Sequence, residues 1–151
     1  MSERLSQKVA LVACLDPDSI DPSATFTGDV IDASRYNSLM FVLSCGVITS
    51  SGKITLTVYK GTVATAASIT SSVASVTLGV TTGASDQDKQ AIIDVDVSKE
   101  TSYRYYKGTV VANGETTTSG SFYSMHVFAD SSRFHPASDN DLASVKSITL
   151  A

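Results

Sequence analysis

The chain has 151 residues, a net charge of −4, 42% hydrophobic and 17% charged residues, and two cysteines. That length fits one domain with a core large enough to stand without disulfide staples, and the balance of hydrophobicity and charge excludes a disordered chain. The acidic charge, with no basic run, argues against binding a nucleic-acid backbone. No stretch approaches the 18 or more apolar residues of a membrane helix, and the start, Met1 to Arg4, leads into only the short apolar run Val9 to Leu15, without a cleavage motif. A soluble protein made in the cytoplasm is the expectation.

In chain order the dominant period is two. Lys8 to Leu15 reads as a strand stopped by Asp16-Pro17-Asp18, and Ala24 to Ile31 as a short strand interrupted by Gly28. Leu39 to Ser44 is continuously apolar, as in a central strand covered on both faces. Lys53 to Tyr59 sets Ile54, Leu56 and Val58 on one face against Lys53, Thr55, Thr57 and Tyr59 on the other. Ala64 to Ser72 reads as strand or loop, and Ser72 to Val80 as a strand ending in Thr81-Thr82-Gly83. Ala91 to Val97 alternates Ala91, Ile93, Val95 and Val97 with Asp94 and Asp96 outward; Tyr103 to Val111 is aromatic and β-branched. Ser121 to Ala129 alternates Phe122, Ser124, His126 and Phe128 against Tyr123, Met125, Val127 and Ala129. Turn signals such as Ser50-Ser51-Gly52, Asn113-Gly114 and Ser119-Gly120 separate these runs.

About eight strands at this spacing predict an all-β fold, an antiparallel β-sandwich of jelly-roll form with extended termini. Residues 1–137 form the single sandwich domain with its N-terminal strand, and residues 138–151 a C-terminal arm. The predicted core includes Leu39, Phe41, Leu43, Ile54, Leu56, Val58, Ile93, Val95 and Phe128.

Chemistry-bearing motifs are sparse. Asp16, Asp18 and Asp21 offer oxygens at alternating spacing, but the stretch lacks the Gly and distal Glu of a calcium loop and reads as a turn. His126 and His135 have no Cys, Asp or Glu at ligand spacing, there is no G-x-S-x-G elbow, and there is no glycine-rich phosphate loop. No catalytic residue, metal or cofactor is therefore expected, and the chain reads as a non-enzyme. Cys14 and Cys45 read as small hydrophobes in the core. Tyr103-Arg104-Tyr105-Tyr106 could stack a sugar or base, but alternate tyrosines on one strand also divide between core and surface.

The termini carry the candidate contact residues. Pro136 cannot donate to a ladder, so the chain leaves the sheet near Phe134. The later alternation of Val145, Ile148 and Leu150 would be costly to leave in water. Arg4, Lys8, Arg133, Phe134, His135, Val145, Ile148 and Leu150 are the expected contacts with neighbouring chains or with a shell. The alternative is that the tail folds back onto its own sheet.

Three segments resemble the small β-sandwich decoration, or cement, proteins of tailed-phage capsids. Asp29-Val30-Ile31-Asp32 followed by Ser34 to Leu43 is similar to the family's opening edge and first core strand. Tyr103 to Val111 is similar to its penultimate strand, and Phe122 to Ala129 with Arg133-Phe134-His135-Pro136 to its last strand and basic exit. The resemblance implies a structural virion protein on the capsid exterior, with the major capsid protein as partner. It also implies a homo-oligomer, a trimer by the family's habit, with no nucleic acid and no membrane. The alternative is a virion or cell-surface module that binds carbohydrate or a receptor.

Overall fold

The computed structural model describes residues 8–19, 25–48, 51–81, 84–113 and 122–130. The described strands are β1 (Val9–Ser19), β2 (Thr25–Thr27), β3 (Ile31–Asp32), β4 (Ser38–Cys45), β5 (Lys53–Gly61), β6 (Ser71–Thr81), β7 (Ala84–Ser85), β8 (Gln90–Asp96), β9 (Tyr105–Asn113) and β10 (Phe122–Asp130). One sheet has the order β1-β10-β4-β8; the other has β2-β9-β5-β6-β7, with β3 also pairing to β9. Every pairing among the described strands is antiparallel.

The pairing follows one rule. With the short β3 and β7 set aside, the first described strand pairs with the last described (β1 with β10), the second with the second last (β2 with β9), then β4 with β8 and β5 with β6. A single long antiparallel hairpin rolled into two packed sheets gives this order, which is the jelly roll.

Period-two patterning builds the core between the sheets. Ile54, Leu56 and Val58 of β5 face Leu39, Phe41 and Leu43 of β4, all fully buried, and Ala91, Ile93 and Val95 of β8 continue the layer, with Val97 just beyond it. These are the phases expected from the sequence. Phe128 is a correction: Tyr123, Met125, Val127 and Ala129 point inward, and Phe128 is half-buried on the outer face with Ser124 and His126. A one-residue slip exchanges whole faces, and the opposite phase would push a hydroxyl and an imidazole into the core. The inner surface is also shaped for Met125: a Cβ on Gly108 would lie 2.5 Å from its Sδ, and one on Gly28 would lie 2.7 Å from its Cε.

Other local expectations change for identifiable reasons. Asp16-Pro17 does not stop β1. The register moves from Leu15↔Met125 to Asp18↔Tyr123, so two residues of β1 oppose one of β10. β1 is the terminal strand of the described sheet, and a bulge there absorbs a proline without losing a ladder hydrogen bond to β10. Residues 64–72 contain a 3-10 turn, Ala66–Ser68, which delivers Ile69 into the interior. β4 is central, as expected, but only its inner face is closed: Met40 on the outer face is 36% exposed.

Candidate functional site

The outer face of the four-stranded sheet is the most distinctive surface among the described residues. Cross-strand register aligns two rows on it. Leu11, Phe128, Met40 and Asp94 form one; Cys14, His126, Val42 and Ile92 form the next. Ile92 is 58% exposed, more than any other large hydrophobic residue described. A third row, Val9, Asp130, Ser38 and Asp96, closes one end with two carboxylates. The result is an apolar strip spanning four strands with an acidic border.

Within this strip the register sets Cys14 directly opposite His126, with Sγ 3.3 Å from Nδ1. The Asp16 Oδ1 lies 3.8 Å from the same sulfur. The sequence reading missed this pair and wrongly assigned Cys14 to the core. Only Cys45 is packed there, with its Sγ donating to the Gly46 carbonyl at 3.6 Å. The two cysteines lie on opposite faces of one sheet, so no bridge can join them without rebuilding it. No group of three or more His, Cys, Asp or Glu residues able to hold a metal occurs among the described residues.

A second cluster sits at the corner where β5 meets β9 on the other sheet. Tyr103 and Arg104 precede β9, Tyr105 faces outward and half-buried, and Tyr106 is in the core. Each outward tyrosine has a cation beside its ring: Lys60 Nζ is 4.3 Å from the Tyr103 centroid, Arg104 Cζ 5.3 Å from Tyr105, and Lys107 Nζ 5.7 Å from Tyr59. Two of these cations are held by carboxylates. Lys60 donates to Glu100 at 2.7 Å, and Arg104 makes a two-pronged contact with Asp32, its Nε donating at 2.8 Å. Lys107 donates to the Ala66 carbonyl at 2.6 Å.

These contacts set the titration of the site. The Arg104 hydrogen bond holds Asp32 down to about 2, against some desolvation, helped by bonds from Ser34. Glu100 is lowered chiefly by Lys60, Asp86 by Lys89, and Asp96 by Ser98. Burial raises Tyr106. Every shifted carboxyl among the described residues moves toward its ionised form, through ion pairs and, at Asp96, through bonds from Ser98. A cleft of ≈ 320 Å³ lies where the ends of β4, β8 and β10 meet and is lined by Cys45, Asp88, Lys89 and Tyr123 among others. Its lysine is engaged with Asp86 at 2.7 Å.

Of the contact residues expected from sequence, Lys8 alone is described; it is exposed and immediately precedes β1. Arg4, Arg133, Phe134, His135, Val145, Ile148 and Leu150, with the arm 138–151, lie outside the described residues. No described helix is long and apolar enough to cross a membrane.

No family model and no curated protein matches the chain. Among solved structures it is similar to a chain from the structure of infectious bursal disease virus Gt strain, with a TM-score of 0.40 and 15% sequence identity. The match covers 81% of this chain and 32% of that one, so this chain spans about a third of its length.

Proposed function

We propose that this jelly roll is a non-enzymatic structural protein of a virion, a decoration protein that bridges neighbouring major capsid protein subunits on the outside of a phage capsid. The observation that carries the reading is the strip Leu11, Phe128, Met40 and Ile92 on the outer face of the four-stranded sheet. An apolar face with a polar border is the form of a docking surface. The resemblance of residues 29–43, 103–111 and 122–136 to capsid decoration proteins supports the same reading. Such a protein works by mass action: binding only the assembled shell, it adds its binding free energy to the shell's stability. The test is to mix the purified chain with expanded empty capsids of the virus that encodes it. Saturable co-sedimentation and a higher shell melting temperature are expected. An absence of saturable binding overturns the proposal.

The tyrosine–cation corner favours a second reading, a carbohydrate- or receptor-binding module. Tyr59, Tyr103 and Tyr105 present ring faces beside cations, an arrangement that can stack a sugar. Glycan binding that disappears in Tyr103→Ala, with no binding to shells, would select it.

A further inference from the structure

The docking reading makes no use of the pair Cys14 and His126. The fold brings these residues together from strands 112 positions apart, because β1 and β10 are partners in the rolled hairpin. Both side chains are half-buried on the outer face. At 3.3 Å the thiol can donate to Nδ1 of the neutral imidazole, or the imidazolium can donate to the thiolate. An ordinary cysteine, with a pKa near 8.5, is only a few per cent thiolate at neutral pH. An adjacent imidazole that takes the proton and keeps it as an ion pair raises that fraction.

The described neighbours of the sulfur leave this effect in place. From its own strand, Asp16 Oδ1 accepts from the Cys14 thiol at 3.8 Å; its charge disfavours the thiolate but favours the imidazolium, and it is exposed and so screened by solvent. From β4 and β8, the same row contributes Val42 and Ile92, which carry no charge. The charge nearest along β8 is Asp94, one row away beside Met40. Cys45 supplies an internal contrast: it is buried in the core, with its Sγ donating to the Gly46 carbonyl at 3.6 Å.

We propose that Cys14 is a site of thiol–disulfide exchange with low-molecular-weight disulfides, with His126 as its base. The proton passes from Sγ to Nδ1. The thiolate then attacks one sulfur of the disulfide R–S–S–R; a bond forms between Sγ and that sulfur as the S–S bond breaks. The other half leaves as R–S⁻ and takes a proton from solvent. Cys14 is oxidised to a mixed disulfide and one half of the small disulfide is reduced to its thiol. The proposal concerns the free chain, since Cys14 lies within the strip that docking would cover.

The experiment treats the full chain with oxidised glutathione from pH 5 to 9 and follows adduct formation by intact mass and peptide mapping. At pH 7 Cys14 is expected to react about tenfold faster than it does in His126→Gln, while Cys45 stays unmodified in the folded protein. In the unmutated chain the rate below pH 7 should stay well above that of His126→Gln. In His126→Gln it should follow a single thiol ionisation near the ordinary value. Equal rates with and without His126, or labelling of Cys45 first, overturns the proposal. If His126→Gln does not fold, the profile of the unmutated chain decides alone: a single ionisation near pH 8.5 overturns it, and a persistent acid limb supports it.

Discussion

On the six-stranded sheet, the outward rows read Thr27, Thr109, Thr57, Ser75 and Thr25, Val111, Thr55, Thr77, with Thr109 itself buried. On the four-stranded sheet, equivalent rows read Leu11, Phe128, Met40, Asp94 and Cys14, His126, Val42, Ile92. Both faces use the same alternation, and both kinds of residue suit a pleated strand. They differ in their dealings with water. On the first face hydroxyls pair across strands, Thr55 with Thr77 at 2.9 Å and Thr57 with Ser75 at 3.2 Å, and remain content in solvent. The second face leaves sulfur, aromatic and branched aliphatic groups partly exposed and gains by being covered. Burial geometry therefore fixes which residues face inward, while the outward residues record what each sheet meets.

The largest expected effect tests whether inner and outer faces are correctly assigned on β10. Met125 is fully buried over Gly28 and Gly108, whereas Phe128 is half-buried outside. Met125→Ala should cost about 2–5 kcal/mol in denaturant unfolding, since it empties a space that two glycines keep for that side chain. Phe128→Ala should cost roughly half as much, despite removing more atoms, because much of its ring is already in contact with water. The reverse order would show that β10 is slipped by one residue.

The next effect is on binding. Ile92→Lys places a charge at the most exposed point of the apolar strip, where the folded chain can still hydrate it. Its thermal midpoint should stay within a few degrees of the unmutated protein, while affinity for shells should drop about 30-fold or more, the size of an interface hot spot of about 2 kcal/mol. Thr55→Lys, the matched change on the hydroxyl face, should bind normally. Equal losses for both would remove the distinction between the faces.

A smaller effect concerns the polar corner. Asp32 accepts from Ser34 N at 3.0 Å as well as from Arg104, and its folded pKa is about 2 against an ordinary 3.8. A lowered folded value means stability that is present above the unfolded pKa and lost as pH falls through the folded one. The unmutated protein should thus exceed Asp32→Asn by roughly 1 kcal/mol at pH 5–7, after discounting for an ion pair open to solvent. That advantage should disappear between about pH 4 and pH 2. A gap that persists at pH 2 would assign the effect to packing, since Asn can keep the bond from Ser34.

Much of this architecture was legible residue by residue. Lys53 to Tyr59 and Ala91 to Val97 alternate so strictly that only one face can be buried, and the structure buries it. Ser121 to Ala129 was harder because both of its faces carry aromatic and apolar groups; the decision rests on the glycines opposite Met125, which lie on β9 and beside β2. Asp16-Pro17 looked like a stop because a proline ends a central strand, and the place of β1 at the end of the described sheet makes it a bulge. The Cys14–His126 pair was invisible for a topological reason. Ligand and triad spacing is sought between near neighbours, whereas a rolled hairpin joins the first strand to the last. The contact residues placed on the termini were reasoned from exposed apolar pattern; the same reasoning applied to Met40 and Ile92 would have found the sheet face.

The smallest expected effect is on the hydroxyl face itself. Thr55→Val preserves shape and β-branching and removes one half of the Thr55–Thr77 pair. Thr77 is exposed, so its hydroxyl turns to water and no buried donor is left unsatisfied. The change in stability should lie within about 0.5 kcal/mol. A loss above about 1.5 kcal/mol would mean that the hydroxyl ladder is structural and not simply hydrated. The double change Thr55→Val with Thr77→Val should be equally mild for folding, but it adds apolar area next to Val111 and copies, on a small scale, the composition of the opposite face. Sedimentation velocity should then show concentration-dependent association that the unmutated face does not support. If the double variant remains as dispersed as the original, apolar composition alone does not make a docking surface in this fold, and the shape and acidic border of the four-stranded face must supply the rest.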